Sequence, residues 1–237
     1  MKKTLELAGI PVEIELKYPD AILTFAPYIK DRIPCASVCI SQTELEAARN
    51  QYEPGASDLY VEYMELSLKV SEALLPFNRV IFHGTAFFWQ GKAWIFAAIS
   101  GTGKTTQYLH WKELYGEDVQ IICGDKPILF FDNRSIAVHP SPWNGKEGMG
   151  QQVSAPLGGI ILLRQSVENR IRKINKTEAS GPLFLQFLFS RKTTEDVYTV
   201  ARLEEQLLNR TPVWLLENCG DAESAVLCHD TLMETLT

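Results

Sequence analysis

An α/β fold is predicted by three features of the sequence. Residues 92–98 are a strongly apolar run rich in strand formers. Residues 98–105, Ala-Ile-Ser-Gly-Thr-Gly-Lys-Thr, are a glycine-containing loop. Residues 105–114 then read as a helix, with Tyr108, Leu109 and Trp111 available to pack. A second apolar strand at 119–123 ends in Gly124-Asp125, and strand candidates at 159–163, 169–174 and 213–217 alternate with helical stretches at 178–189, 195–209 and 221–236. Strands alternating with helices in this way build layered α/β folds.

The amino-terminal third has a different texture. Residues 4–7 and 12–16 alternate apolar and polar side chains around Gly9, which predicts a hairpin. Short strands are expected at 21–29 and 36–40. Ser41 and Thr43 precede a helix turn, and Ser57 or Asp58 caps a longer helix that runs to about Leu75. Pro76 ends it. Residues 1–76 are thus expected to form a small α+β region, and residues 77–237 the larger core. Within that core, 80–82 and 85–89 read as strands, 128–131 and 135–138 as a hairpin around Asp132-Asn133-Arg134, and 141–150 as a polar loop with glycines.

Composition narrows the function. The chain has 237 residues, 46% of them hydrophobic and 22% charged, with a net charge of −6. That balance suits a globular enzyme-sized fold and lacks the basic footprint of a general nucleic-acid binder. The start, Met1-Lys2-Lys3, is followed by acidic Glu6 and no long apolar stretch, so no signal peptide or membrane span is read there. The five cysteines have neither disulfide nor zinc spacing, which points to free thiols in a reducing cytoplasm. Oligomeric state is not legible; a homo-oligomer is compatible with the sequence.

The loop at 98–105 carries the sharpest chemistry. Gly101 and Gly103 allow the backbone to curl so that its N–H groups point at phosphate oxygens, and the positive end of the following helix adds to them. Ser100, Thr102 and Thr106 complete the cradle, Lys104 sets a charge on the terminal phosphates, and the Thr105 hydroxyl is offered to magnesium. Ala98 stands where the usual pattern has its first glycine. A magnesium-bound nucleoside triphosphate also needs an acid at the end of a neighbouring strand, and Asp125 occupies that place. The cofactors expected are therefore ATP, or another nucleoside triphosphate, and Mg.

The region around these residues resembles the HPr kinase/phosphorylase group, which shares a core with phosphoenolpyruvate carboxykinases. His83-Gly84 opens a strand, a second strand leads through Gly91 into the loop, and Gly124-Asp125 ends the strand beyond the helix. Weaker similarity continues to the C-terminus, so the resemblance covers about residues 79–237. It implies a kinase-like core, with His83, 21 residues before Lys104, beside the catalytic acid. The family's paired Asp-Asp is not present, and Gly124 reads as the position of its first acid.

Residues 141–148, Ser-Pro-Trp-Asn-Gly-Lys-Glu-Gly, form the other unusual stretch. Lys146 is placed to contact a transferred phosphoryl group, and Glu147 to hold metal or accept a proton. Arg164, Arg170, Arg172 and Lys173 read as a solvated face. The function expected is phosphoryl transfer to a hydroxyl of a protein, peptide or small molecule, with Asp125, His83 or Glu147 preparing that hydroxyl. The rival readings are a nucleotide sensor without catalysis and a carboxykinase acting on an organic acid.

Overall fold

The structure is a computed structural model and describes residues 1–236. Strands β1 (Lys2–Leu7) and β2 (Ile10–Glu15) form the expected hairpin, with Ala8 and Gly9 both at positive φ in the turn. Residues 21–29 are not a strand. A 3-10 turn at Pro19–Ala21, a single helical turn α1 (Ile22–Phe25) and a second 3-10 turn at Ala26–Tyr28 replace it. Pro19 and Pro27 each sit at the start of a turn, where a missing N–H costs nothing and the fixed φ favours helical geometry. Strand β3 (Ala36–Cys39) then pairs parallel to β2 and completes a three-stranded sheet.

Helix α2 (Gln42–Arg49) opens with a full capping box between Ser41 and Glu44. Helix α3 (Asp58–Leu74) is capped by Ser57 and buries Val61, Leu66, Val70 and Leu74 along one stripe against the small sheet. Its Glu62 is fully buried and accepts the backbone N–H groups of Lys17 and Tyr18 at 2.6 and 3.0 Å, which fixes the chain leaving β2. The same apolar cluster takes in Ile81, Ile128 and Trp143 from the rest of the chain.

Among the described residues, the second sheet has nine strands. Along the chain come β4 (Arg79–Ile81), β5 (Thr85–Trp89), β6 (Lys92–Ala97), helix α4 (Lys104–Tyr115), β7 (Gln120–Cys123), β8 (Ile128–Phe131), β9 (Ile136–His139) and the long β10 (Ala155–Gln165). They are followed by β11 (Arg170–Ile174), α5 (Lys176–Phe184), α6 (Thr194–Arg210), β12 (Val213–Asn218) and α7 (Ala222–Glu234). The order is β4-β8-β9-β10-β6-β5-β7, with β12 also paired to β10 and β11 beyond it. Helix α5 begins earlier than the sequence suggests, at the Asn175 cap, and stops at Phe184; Phe187 instead bridges to Phe82 and the Leu188 N–H donates to Ile81 O.

Side-chain alternation along β6 explains the layers. Ala93, Ile95 and Ala97 join a core that includes residues of α5 and α6, whereas Trp94 and Phe96 join an aromatic core with Trp111 of α4 and Ala225, Cys228 and Leu232 of α7. The sheet is therefore covered by helices on both faces, a mixed α/β architecture.

One pairing positions the site. Strands β6, β10 and β12 run parallel, while β5 is antiparallel to both β6 and β7. β5 consequently starts at the edge where β6 and β7 end. The residues before β5, after β6 and after β7 are brought to one edge of the sheet, and these are His83, the glycine-rich loop and Asp125.

Candidate functional site

The loop between β6 and α4 turns on Gly101 and Gly103, at φ of 82° and 107°. Such angles strain any residue with a Cβ. A Cβ at either position would meet nothing within 4 Å, so the glycines serve backbone shape and leave open space over the loop. Gly103 is the N-cap of α4, and no side chain caps the helix. Its first N–H groups are therefore available to an anion. Thr102 Oγ1 donates to Ile99 O at 3.0 Å and closes the loop on itself.

Lys104 is the first residue of α4 and is only 8% exposed. Its Nζ donates to Ala98 O at 3.0 Å and to Ile99 O at 3.4 Å, and no carboxylate lies within ion-pair reach among the described residues. Burial pushes its ammonium pKa down; Asp125 opposes that shift and Lys126 adds to it.

Asp125 follows β7 and is held by its surroundings. Its carbonyl accepts the Gly84 N–H at 2.8 Å, and the His83 N–H donates to Gln186 O at 2.8 Å. Thr85 Oγ1 donates to Gly124 O at 2.8 Å. His83 is thereby stitched to the end of β7, and its Nε2 stands 3.3 Å from Asp125 Oδ1. The other carboxylate oxygen, Oδ2, accepts from Lys126 Nζ. Burial pushes the Asp125 carboxyl up, but the His83 hydrogen bond and the Lys126 charge outweigh it and hold the group well below the usual carboxylate range.

The 141–150 segment wraps the end of β7. Lys126 N–H donates to Trp143 O at 3.0 Å, and Gly124 N–H to Met149 O at 2.9 Å. A Cβ on Gly124 would lie 2.6 Å from Asn144 O and 3.0 Å from Met149 O. The glycine at 124 thus meets a demand for close backbone packing. A side chain at this position would press on both carbonyls. Lys146 and Glu147 lie exposed between Gly145 and Gly148, both at positive φ, and neither makes a hydrogen bond to His83 or Asp125 among the described residues.

These elements line one cavity of about 1400 Å³. Ser100, Gly101, Gly103, Lys104, Thr105 and Thr106 form one wall; His83, Asp125 and Lys126 lie on its floor; Lys146 and Glu147 stand at its rim. Thr102 does not line it. The far wall comes from the amino-terminal region, with Leu59, Tyr63 and Met64 of α3. Arg164 is paired with Glu217 at 3.2 Å, and Arg172 with Glu178, away from this cavity.

No family model matches the sequence, and no curated protein does. Among solved structures, the Hpr(Ser) kinase/phosphatase from Coxiella burnetii is similar, with a TM-score of 0.38 and 11% identity, over 65% of this chain and 98% of that one.

Sequence reasoning missed Lys126 and α3. Lys126 stands beside a recognised acid, but adjacency in sequence does not say that two side chains meet. No pattern in residues 59–64 marks them as cavity wall, since their apolar spacing is that of any partly buried helix. Among the described residues, no helix is long and apolar enough to cross a membrane.

The donor set fits a triphosphate with its metal. Open space over Gly101 and Gly103 leaves room for phosphate oxygens, and a buried lysine with only carbonyl partners is short of an anion. Among the described residues no cluster of three His, Cys, Asp or Glu forms a metal cage. Magnesium carried on phosphates needs only one or two protein oxygens, and the Thr105 hydroxyl and Asp125 carboxylate both belong to residues that line this cavity.

Proposed function

We propose that this protein binds a nucleoside triphosphate with magnesium and transfers the terminal phosphoryl group to a hydroxyl of a protein, peptide or small molecule. The observation that carries the reading is the convergence of the uncapped, glycine-turned start of α4, the buried Lys104 and the His83–Asp125 pair on one cavity. Residues 1–76 are proposed as a small α+β amino-terminal region that supplies the far wall, and residues 77–237 as the kinase-like core that holds the nucleotide.

The backbone N–H groups of residues 101–106 and the Lys104 ammonium hold the β and γ phosphates. Thr105 and Asp125 hold the magnesium, which when bound neutralises charge on the phosphates. His83 and Asp125 orient the acceptor hydroxyl. In the transfer the hydroxyl oxygen bonds to phosphorus, the bond from phosphorus to the diphosphate breaks, and the hydroxyl proton passes to His83 or Asp125. Asp125 is already engaged by Lys126 and by the metal it would hold, which leaves His83 as the group to take that proton. Lys146 and Glu147, on an exposed turn, are placed to meet the acceptor as it enters.

A second reading is favoured by two contacts of Asp125. Both oxygens of Asp125 already have partners, His83 and Lys126, as in a site built to bind nucleotide without turning it over. The carboxykinase reading has less support, because no arginine lines the cavity among the described residues. The test between kinase and sensor is incubation with γ-labelled ATP, magnesium and candidate acceptors. Label on an acceptor that disappears with Lys104→Ala supports transfer. Saturable ATP binding with no labelled acceptor and no phosphate release supports the sensor.

A further inference from the structure

Two ammonium groups are buried at this edge of the sheet, and one carboxylate answers them. Lys104 is 8% exposed and Lys126 is 7% exposed. Lys104 rests on carbonyl oxygens alone, and Asp125 is the acid beside Lys126. Asp125 is shared further, because His83 reaches its other oxygen. The group carries an excess of positive charge on the lining of the cavity. Buried charge without a partner is costly, and an arriving anion removes the cost.

Lys126 is built into this place. Its N–H donates to Trp143 O at 3.0 Å, its carbonyl accepts Ser141 Oγ at 2.5 Å, and Pro127 follows it. Ser141 is itself fully buried. The side chain passes along α3, with Nζ 4.0 Å from Met64 Sδ, and ends in the cavity that the glycine-rich loop lines.

We propose that Lys126 is a phosphate-binding residue. Its ammonium takes the terminal phosphate of the bound nucleoside triphosphate from the α3 side of the cavity and shares with Lys104 the charge that a divalent ion would otherwise neutralise alone. The proposal rests on the nucleotide reading above. It has a consequence of its own: the protein holds a triphosphate without metal, and that affinity depends on Lys126.

The experiment is calorimetric titration with ATP and, to remove the base, with inorganic tripolyphosphate, each in EDTA and in magnesium. The proteins are the wild type, Lys126→Met, Lys126→Arg and, as a surface control, Lys173→Met on exposed β11. In EDTA, loss of one charge-assisted contact in Lys126→Met weakens binding by roughly tenfold to hundredfold. Lys126→Arg keeps most of the affinity, Lys173→Met matches the wild type, and magnesium narrows the gap between Lys126→Met and wild type. Equal metal-free affinity of Lys126→Met and wild type overturns the proposal and leaves the nucleotide reading standing. A wild type that binds neither ligand with or without magnesium overturns both. If Lys126→Met does not fold, the Nζ resonance of Lys126 in ¹⁵N-labelled wild type decides: it moves when tripolyphosphate is added in EDTA, and an unmoved resonance at saturation overturns the proposal.

Discussion

Tyr63 and Trp143 bond to each other's stretch of backbone. The Trp143 indole N–H donates to Tyr63 O at 2.8 Å, and the Tyr63 hydroxyl donates to Pro142 O at 2.9 Å. Trp143 is fully buried and meets Phe25 edge-on, with ring centroids 5.8 Å apart. The segment that wraps Asp125 is thereby stapled to α3 and to the amino-terminal region. Trp143→Ala is expected to cost about 3–5 kcal/mol, as for other large aromatic deletions. Trp143→Phe loses that hydrogen bond and part of the ring volume, at about 1–3 kcal/mol. Urea unfolding of the three proteins measures both.

Gly124 gives a sharper steric test. Gly124→Ala places a methyl group against two backbone carbonyls, neither of which has a flexible end to move aside. A cost of about 1–3 kcal/mol follows from overpacking, and Asp125 is displaced with it. Gly181, inside α5, has nothing within 4 Å of its Cβ direction. Pro182 follows it, and a Cβ before a proline crowds the ring in helical backbone, which offsets the helix propensity gained. Gly181→Ala is therefore expected to change stability by less than about 0.5 kcal/mol. Thermal melts that lowered both variants equally would contradict this account.

The loop and Asp125 were legible in the sequence because their signals are local. An apolar strand, two glycines, a lysine and a helix lie within one short stretch, and Asp125 closes the next apolar strand. His83 was legible only through resemblance and spacing, since nothing local says that β5 inserts antiparallel between β6 and β7 and so returns residue 83 to the same edge. Residues 21–29 misled because Ala-Ile-Leu-Thr-Phe-Ala has the composition of a strand. The two flanking prolines decided otherwise, and Leu23 ends up 81% exposed. Lys126 was out of reach, because long-range backbone bonds to residues 141–143 fold it inward and no short window of sequence contains them.

Asp125 makes stability depend on acid. Its folded pKa lies below the unfolded value of about 3.9. A depressed carboxyl stabilises the fold above the unfolded pKa, and the contribution is lost as pH falls through the folded pKa. Asp125→Asn lacks that contribution. The wild type is expected to exceed the mutant by about 1–3 kcal/mol at pH 7. The gap should hold to about pH 5 and shrink steadily below pH 4, as read by urea unfolding at each pH. A gap that widened in acid would mean that Asp125 is not held ionised by His83 and Lys126.

His83 and Glu147 differ in how firmly they are placed, and their variants should differ accordingly. His83 is fixed through its backbone and lies 3.3 Å from Asp125 Oδ1, whereas Glu147 is exposed on a glycine-flanked turn. His83→Ala is expected to lower phosphoryl transfer by about a hundredfold to ten-thousandfold, the range of general acid–base help. Glu147→Gln is expected to lower it by less than about tenfold. ATP affinity should change little in either. Initial rates of label transfer measure the contrast, and a larger loss with Glu147→Gln would move the proton-accepting role to the rim.

Lys104 separates binding from folding most cleanly. Its ammonium is buried and its bonds are only to Ala98 O and Ile99 O. Desolvation disfavours that charge, as the downward shift of its pKa records. Replacement by methionine keeps the length of the side chain and removes the buried charge, so the ligand-free protein should be unchanged or more stable by up to about 1 kcal/mol. The same change removes the cation nearest the loop, and ATP affinity should fall by about a hundredfold. The two effects pull the melting temperature apart. Saturating Mg-ATP at 100 times its Kd stabilises a protein by about 2.7 kcal/mol. The wild type should therefore melt higher with ATP, while Lys104→Met at the same concentration should gain less than about 1 kcal/mol. Equal stabilisation of both by ATP would remove Lys104 from the binding site. A large loss of stability in the ligand-free variant would show instead that its bonds to the loop carbonyls hold the fold.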